Sequence, residues 1–399
     1  MASFFSRFFN NKNKKLENRN YLDFAMGLNL NGKKVAVNAE TALTFSAVYA
    51  AVRLISETIS QLPFNYYERT ANGRVIKADH PLHILVNSEP NPIRTKFVFF
   101  ELMVNSLLLY GNAYIHIERN QRGLPIELHF IHPDDILVNF NDGILVYESK
   151  KYGVFDASDV IHIPDMIMDD GYVGKSRIAI ARDNIALGIA SQTYGKEFYE
   201  SGAKVGGVLS HPGQLGPDAM KALSDQWHRT YHSGFSGSFK TAVLEEGMTY
   251  KPIQLRPDEA QFLSTRKFSI TEIARIMKVP PHLLADLDRA TFSNIEHQGI
   301  EFLNYCIAPI LKKIEQEFNK KLIFENDKGK TYFEHNVNAL LRGDSKSRAE
   351  YYRLLFNIGS ITPNEIRAKE NMNDIEGGDN AYVPMNMITQ GKTPEDGAE

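Results

Sequence analysis

The chain has 399 residues, 43% hydrophobic and 23% charged, with a formal net charge of −3. This length exceeds one ordinary core and suits two or three domains. The charge balance argues against a chain that grips nucleic acid through many phosphate contacts. A single cysteine, Cys306, excludes an intramolecular disulfide framework and is typical of a reducing compartment. Since it lies in an apolar helical pattern, we interpret it as a buried small side chain, with a reactive thiol as the alternative.

The first residues, MASFFSRFFNNKNKK, combine four phenylalanines with a basic, Asn-rich stretch. The apolar run is too short and too interrupted for a secretory signal or for a spanning helix of ~20 residues. We interpret residues 1–40 as an N-terminal arm that is flexible or bound at an interface. Contact with a membrane surface is the alternative.

Apolar periodicity predicts a helix over 41–62, ended by Pro63. Its predicted apolar positions are Leu43, Ala47, Ala50, Leu54, Thr58 and Leu62. A second helix is predicted over 95–109, with Thr95 as a possible cap and Gly111 at its end. Short alternating strands with closely spaced turn signals then predict a compact antiparallel region that extends to residue 164.

Two long helices are predicted in the middle of the chain. Ser176 can cap the first, which continues to residue 201 and would be about 39 Å long at ~1.5 Å per residue. A small β-α-β-β module follows, and the second helix then ends before Pro280-Pro281. Both helices have thin apolar stripes, so a stalk of this kind would be poorly buried in a monomer and neighbouring subunits could cover it.

The remaining elements include an apolar helix in which Pro309 predicts a kink. In chain order they are a polar loop over 280–298, a helix over 294–321, a strand pair over 322–326 and 332–336, and helices over 345–357 and 362–369.

The stretch Gly174-Lys175-Ser176 follows a strand, precedes a helix and resembles the end of a phosphate loop. Such a loop needs glycine five residues before Gly174, where its backbone N–H groups wrap the phosphates. Asp169 stands there instead, and its carboxylate would repel a phosphate. We therefore interpret Ser176 as a helix cap, with a nucleotide site as the alternative.

Four side chains in the segment ELHFIHPDD could be drawn as metal ligands: His129, His132, Asp134 and Asp135. However, His129 and His132 would lie on opposite faces of a strand, and the residues after His132 indicate a turn. We predict no metal site and no cofactor. No catalytic motif appears either, so we expect a protein that is not an enzyme.

An ordered set of stretches resembles the portal proteins of tailed double-stranded DNA bacteriophages, in the branch typical of long-tailed phages. The matching stretches are 46–69, 89–92, 111–128, 207–213, 239–253, 258–284, 290–298 and 361–379. No single stretch is diagnostic, but together they span nearly the whole chain in a consistent order.

The resemblance implies an α+β portal-type fold with an α/β wing, a two-helix stem, a small α/β clip, a tunnel loop and a helical crown, assembled as a ring, usually of twelve subunits. The expected boundaries are 1–40 for the arm, 41–175 for the first part of the wing, 176–202 for the first stem helix, 203–257 for the clip, 258–281 for the second stem helix, 282–294 for the tunnel loop, 295–342 for the second part of the wing, 343–376 for the crown and 377–399 for the C-terminal tail.

The resemblance also implies a function. A ring at one capsid vertex would let double-stranded DNA enter during packaging and leave during ejection, without sequence specificity. Its implied partners are further copies of itself, the major capsid protein and possibly scaffold, the large terminase, and a head-completion or adaptor protein, with no membrane. The implied location is the virion, with assembly in the host cytoplasm. The alternatives are a nucleotide-using packaging factor and an adaptor that binds DNA ends.

Two groups of site residues follow from the resemblance. The tunnel loop would be formed by Asp286, Leu287, Asp288, Arg289, Ala290, Thr291, Phe292 and Ser293. Its Arg289 would contact DNA or pair with a neighbouring subunit, and its Phe292 would pack on a neighbouring loop or contact DNA. The clip residues that would dock partners, unless they form the core of the module, are Trp227, His228, Tyr231 and Phe235.

Overall fold

The computed structural model describes residues 29–30, 33–34, 36–71, 73–141, 144–168, 171–200, 207–231, 244, 247–252, 259–284, 299–337, 345–370 and 372–382. The chain divides into two compact units, Met1–His335 and Asn336–Glu399. Most of the predicted N-terminal arm and C-terminal tail lies outside the described residues.

Helices occur in both units. Those of the first unit are α1 Ala39–Ala42, α2 Ser46–Ser60, α3 Pro81–Asn87, α4 Lys96–Tyr110, α5 Arg177–Ile180, α6 Arg182–Glu200, α7 Pro217–Tyr231, α8 Glu259–Met277 and α9 Ala308–Leu322. Those of the second unit are α10 Ser345–Asn357 and α11 Pro363–Lys369.

The described strands pair antiparallel in small sheets. They are β1 Asn29–Leu30, β2 Lys33–Lys34, β3 Phe64–Thr70, β4 Gly73–Ile76, β5 Asn112–Arg119, β6 Pro125–Ile131, β7 Ile136–Asn141, β8 Ile144–Ser149, β9 Gly153–Asp156, β10 Val160–Pro164, β11 Met166–Ile167, β12 Gly174–Lys175, β13 Gly207–Ser210, β14 Thr249–Pro252 and β15 Thr331–His335. The three-stranded sheets have the orders β10-β5-β6, β15-β3-β4 and β7-β8-β9.

The main core lies where α2, α4 and α9 meet the sheet β15-β3-β4. Phe64 is fully buried there and contacts three phenylalanine rings. Its ring centroid lies 5.7 Å from Phe100, 5.3 Å from Phe318 and 5.4 Å from Phe333. Aromatic side chains bury large apolar areas, so this cluster ties both ends of the first unit into one core.

A second core lies between the sheets β10-β5-β6 and β7-β8-β9. Its buried members are Tyr114, Ile131, Ile136, Val138, Tyr147 and Val160. Strands β5 and β10 are buried along most of their lengths, because α4 contacts β5 and α9 contacts β10 in addition to the neighbouring sheet. The prediction of a compact antiparallel region in this part of the chain is confirmed.

The predicted helix over 41–62 is interrupted. A capping box between Asn38 and Thr41 starts the short helix α1, which ends at Ala42, and a separate helix, α2, begins at Ser46. The predicted apolar positions were also partly wrong, because Leu54 is only half-buried. The buried hydrophobic residues of α2 are Ala47, Val48, Ala51, Val52, Ile55 and Ile59. These side chains face inward because α2 is covered from two directions, by α4 and by α8.

Local signals placed several helix ends correctly. Gly111 ends α4 in the left-handed conformation with a φ of 78°, as predicted. Thr95 precedes α4 but makes no side-chain capping bond, so that detail of the prediction was wrong. In the second unit, Thr362 and Glu365 form a capping box at the start of α11.

The expected strand pair near residue 327 does not form. Phe324 precedes a short 3-10 turn, Glu325–Asp327, so the stretch over 322–326 is not a strand. The second predicted strand exists as β15, but it pairs with β3. Its end is fixed by Glu315, whose Oε1 accepts a hydrogen bond from the His335 backbone N–H at 2.9 Å.

The kink predicted at Pro309 takes the form of a π-helical turn, Phe302–Ile307, directly before α9. The Ala308 N–H donates to the carbonyl of Leu303, five residues earlier. Since proline has no N–H to continue the helical ladder, a local change of hydrogen-bond pattern is expected there.

Candidate functional site: the paired helices and their base

The helices α6 and α8 pack against each other and form the paired element that the sequence predicts. They run in opposite directions. At one end of the pair, the Arg177 guanidinium beside the start of α6 donates to the carbonyl of Met277 at the end of α8, at 3.4 Å. Strands β13 and β14, which follow α6 and precede α8 along the chain, pair antiparallel.

The predicted single helix from Ser176 is divided, with α5 ending before Ala181 and α6 beginning at Arg182. Ser176 does cap α5, since its Oγ accepts hydrogen bonds from the N–H groups of Ile178 and Ala179 at 3.1 and 3.3 Å. The cap was therefore predictable from sequence, whereas the break at Ala181 was not.

The helix pair is only partly covered within its own chain. The buried side includes Ile185 on α6 and Ile273 on α8, both with 0% exposure. Each helix also carries an exposed aromatic side chain: Tyr194 on α6 is 51% exposed and Phe268 on α8 is 56% exposed. Large aromatic side chains on a helix pair are usually covered in the functional assembly, so this surface is a candidate interface.

The base of the pair is held by a buried ion pair. Arg177 donates from Nε and Nη2 to the two carboxylate oxygens of Asp165, at 2.6 and 3.0 Å. The side chains are 14% and 9% exposed. Lys313 on α9 also donates to the backbone carbonyls of Pro164 and Asp165. This cluster joins α5, β10 and α9, and it was missed from sequence because its members are far apart in the chain.

Cys306 lies at the same junction. Its side chain is 2% exposed, and its thiol donates to the carbonyl of Met277 at 3.4 Å. Burial raises the pKa of the thiol to about 11, so the thiolate is disfavoured. This agrees with the interpretation of Cys306 as a buried structural side chain.

The stretch Gly174-Lys175-Ser176 has a structural role in this region. The Gly174 N–H donates to the side-chain oxygen of Asn112 at 2.8 Å, and the Asn112 amide donates back to the Gly174 carbonyl at 2.8 Å. The Ser176 hydroxyl also donates to the carbonyl of Leu109. Because Gly174 is bonded to Asn112 of β5 and Ser176 to Leu109 of α4, these groups are not arranged to wrap a phosphate.

The end of α8 borders a cavity of about 360 Å³. The last turn closes with Lys278 in the left-handed conformation, at a φ of 59°. The lining residues include Ala274, Lys278, Val279, Pro281, Phe302 and Tyr305. The chain leaves this region at Leu284 and returns at Gly299. The predicted tunnel-loop residues, Asp286 to Ser293, lie outside the described residues.

Among the predicted clip residues, the side chain of Trp227 is described. Its ring lies on Tyr250 of β14, with the ring centroids 5.2 Å apart, so α7 and β14 contact each other. The side chains of His228 and Tyr231, and the whole of Phe235, lie outside the described residues. The docking surface formed by these four residues therefore stays a prediction.

The chain is similar in sequence to known proteins over most of its length. A model of the phage portal protein family matches residues 46–371. The probable portal protein of Streptomyces phage phiC31 is 34% identical over 383 residues, which cover 90% of this chain and 83% of that protein. The portal protein of Enterobacteria phage HK97 is 32% identical over 377 residues, covering 90% of this chain and 87% of that protein.

A solved structure agrees in fold. A chain in the neck of an empty gene transfer agent particle, computed with C6 symmetry, has a TM-score of 0.58 at 23% identity. The match covers 84% of this chain and 93% of that chain. The fold is thus an α+β fold of the portal type, as the sequence resemblance implied.

The extent of these matches settles the family. The chain belongs to the phage portal protein family. Membership confirms both the family that the ordered sequence stretches predict and the portal function that they imply. Among the described residues, no helix is long and apolar enough to cross a membrane.

Proposed function

We propose that copies of this chain close into a ring at one capsid vertex, around a channel through which double-stranded DNA is packaged and ejected. The ring has about twelve subunits, as the family resemblance implies, and its location is the portal vertex of the virion after assembly in the host cytoplasm. The solved neck structure, computed with C6 symmetry, supports rotational symmetry for proteins of this fold.

The observation that carries the proposal is the uncovered face of the helix pair. Tyr194 on α6 and Phe268 on α8 are both more than half exposed. Burial of a large aromatic side chain contributes roughly 2 kcal/mol, and a ring would bury this face once for each subunit. Neighbouring copies are therefore the occupants that this surface fits best.

We assign the lining of the channel to the tunnel loop over 282–294. The residues of the loop that face the channel are Asp286, Leu287, Asp288, Arg289, Ala290, Thr291, Phe292 and Ser293. This stretch carries two negative charges and one positive charge, so its contact with the DNA backbone is weak and independent of sequence. Weak contact suits a conduit, since many lysine contacts would hold DNA by counterion release and stall it.

We assign the docking partners to another region of the ring. The clip, residues 203–257, docks the large terminase during packaging and a head-completion or adaptor protein afterwards, through a surface that includes Trp227, His228, Tyr231 and Phe235. The major capsid protein is a further partner of the ring and scaffold is a candidate partner, and their contacts are not assigned to particular residues.

We assign no catalysis to this chain. The hydrogen bonds of Gly174 and Ser176 account for that stretch as packing between α4 and α5. Purified protein is expected to show no ATP hydrolysis by itself. Lys175→Ala is expected to leave the ATPase rate of the packaging motor unchanged, whereas a nucleotide-using factor would lose it.

Electron microscopy of the purified full-length chain tests the ring. The expected result is discrete rings with an axial hole, and a mass by light scattering of several subunits. Tyr194→Asp combined with Phe268→Asp places charges in the proposed subunit contact, so assembly is expected to fail while the circular dichroism spectrum stays native. Ile93→Asp is the matched control, because Ile93 is 81% exposed and belongs to neither helix of the pair.

Two results would contradict the ring. A compact monomer of the wild-type chain at micromolar concentration would argue against it directly. Rings that persist in the double variant would show that the exposed helix face is not the subunit contact.

Arg289→Ala tests the channel separately: rings should still form, while the yield of packaged DNA in complementation should fall.

A further inference from the structure

Three side chains that can bind metal ions converge on one face of the sheet β10-β5-β6. Strands β5 and β6 pair so that Glu118 is opposite Glu127 and His116 is opposite His129. The Nε2 atom of His129 lies 3.2 Å from a carboxylate oxygen of Glu118 and 3.1 Å from one of Glu127. All three potential ligand atoms lie within 4.8 Å of one another.

These separations match the spacing of ligand atoms around a metal ion as well as the lengths of ordinary hydrogen bonds. Zinc binds imidazole nitrogen and carboxylate oxygen at about 2.0–2.2 Å in a tetrahedral arrangement, which places neighbouring ligand atoms about 3.3 Å apart. The two distances from His129 to the carboxylates, 3.1 and 3.2 Å, are close to that edge length. A small rearrangement of exposed carboxylates is enough to admit an ion.

The negative charges of the two carboxylates also favour a bound cation. Two carboxylates directly opposite each other on neighbouring strands repel, so a cation between Glu118 and Glu127 would stabilise the pair. The adjacent Arg119 does not supply it, because its guanidinium donates to Asp159 at 3.0 Å and to the carbonyl of Lys321 at 2.9 Å. A register shift between Glu118 and Arg119 separates the directions of these two side chains.

The site is also accessible. The side chains of Glu118, Glu127 and His129 are 51%, 32% and 35% exposed, so an ion can enter and a water molecule can fill the remaining coordination position. An imidazole nitrogen with two carboxylates suits a borderline transition metal ion, whereas Ca²⁺ and Mg²⁺ prefer oxygen ligands alone. We propose that Glu118, Glu127 and His129 bind one Zn²⁺ ion per chain.

The inference is independent of ring assembly and is tested on the purified full-length chain. After removal of metal with a chelator, Zn²⁺ is titrated by calorimetry and Co²⁺ by visible absorption, which reports the coordination geometry. Wild-type protein is expected to bind one ion per chain with a tetrahedral Co²⁺ spectrum. Glu127→Gln and His129→Asn are each expected to weaken binding at least tenfold.

The matched control is His132→Asn. His132 lies three residues from His129, but its Nδ1 accepts from the Asp134 N–H as a cap, and asparagine can keep that role. Binding within about twofold of wild type is expected. A second readout is the melting temperature, which Zn²⁺ should raise in wild type and in His132→Asn but not in the two site variants.

If His129→Asn fails to fold, Glu118→Gln replaces it, since Glu118 is half exposed and its substitution is tolerated more easily. The proposal is overturned if wild-type protein shows no saturable Zn²⁺ binding near neutral pH. It is also overturned if the site variants bind as tightly as wild type. Either result would show that His129 only bridges the two carboxylates through hydrogen bonds.

Discussion

The backbones of Gly111 and Gly174 touch, and neither position has room for a side chain. A Cβ atom on Gly174 would lie 2.3 Å from the carbonyl oxygen of Gly111. A Cβ atom on Gly111 would lie 2.4 Å from the backbone of Lys175. This contact brings the end of α4 against the start of α5, and so connects the main core to the base of the helix pair.

Gly174→Ala is therefore expected to destabilise the first unit by about 3 kcal/mol, because the added methyl group meets backbone atoms that cannot move without breaking the hydrogen bonds of Asn112. Denaturant unfolding measures the change. The matched control is Gly299→Ala, where no heavy atom lies within 4 Å of the added Cβ. It should be neutral or slightly stabilising. Equal midpoints for the two variants would argue against the close contact.

A second prediction concerns the ion pair at the base of the helix pair. Asp165→Asn removes the carboxylate that both Arg177 and Lys313 face, and leaves a buried guanidinium without its counter-charge. Breaking a buried pair in this way costs about 3–5 kcal/mol. Thermal or denaturant unfolding of the variant should show a loss of this order.

Asp183→Asn is the control for that experiment. Its carboxylate also lies beside an arginine, Arg182, at 3.6 Å, but its side chain is 74% exposed. A change within about 0.5 kcal/mol is expected, because surface pairs contribute little. A similarly small effect of Asp165→Asn would show that solvent reaches the base of the helix pair.

Local signals in the sequence explain the parts of the fold that could be predicted. The end of α4 at Gly111, the cap at Ser176 and the start of α11 after Thr362 each depend on one residue and its near neighbours. The physical chemistry of a cap operates within a single helical turn, so no distant contact is needed to identify it.

Distant contacts decide the parts that could not be predicted. The pairing of β15 with β3 joins residues more than 250 positions apart. The ion pair of Asp165 with Arg177, and the approach of Lys313 to both, has no periodic or spacing signal. The site formed by Glu118, Glu127 and His129 requires the strand register, which the sequence alone left open.

A third prediction concerns pH. His162 is buried, with its Nε2 2.9 Å from the side-chain oxygen of Asn112 and its Nδ1 3.2 Å from the hydroxyl of Tyr147. These bonds fit a neutral ring that donates to Asn112 and accepts from Tyr147. Burial, together with repulsion from Lys321, lowers the pKa of His162 to about 3.

The direction of the pH effect on folding stability follows from the protons that the folded and unfolded chains bind. In the unfolded chain histidine takes up a proton near pH ~6.5, whereas the folded chain resists it until about pH 3. Stability is therefore retained above pH ~6.5 and lost as the pH falls, by up to about 1.4 kcal/mol per pH unit from this residue. His162→Gln should be less stable at neutral pH, with a shallower decline between about pH 6 and pH 4. Urea midpoints measured across this range test it, and parallel curves would contradict it.

The last prediction concerns the end of α8, where Lys278 adopts a φ of 59°. Its N–H donates to the carbonyl of Arg275 at 3.2 Å, and the N–H of Val279 donates to that of Ala274 at 2.9 Å, which is the hydrogen-bond pattern of a Schellman cap. The left-handed conformation costs a residue with a Cβ atom about 1 kcal/mol of folding free energy, and this cost is absent for glycine. Lys278→Gly should therefore stabilise the fold by up to about 1 kcal/mol, after the greater freedom of glycine in the unfolded chain is subtracted. Lys267→Gly, in the middle of the same helix, should have the opposite sign, with a loss of about 1 kcal/mol. Denaturant unfolding of both variants separates the two effects. If Lys278→Gly is destabilising, the lysine side chain itself must hold the end of α8 beside the cavity. The cost of the left-handed conformation would then be smaller than the stabilisation from the side chain.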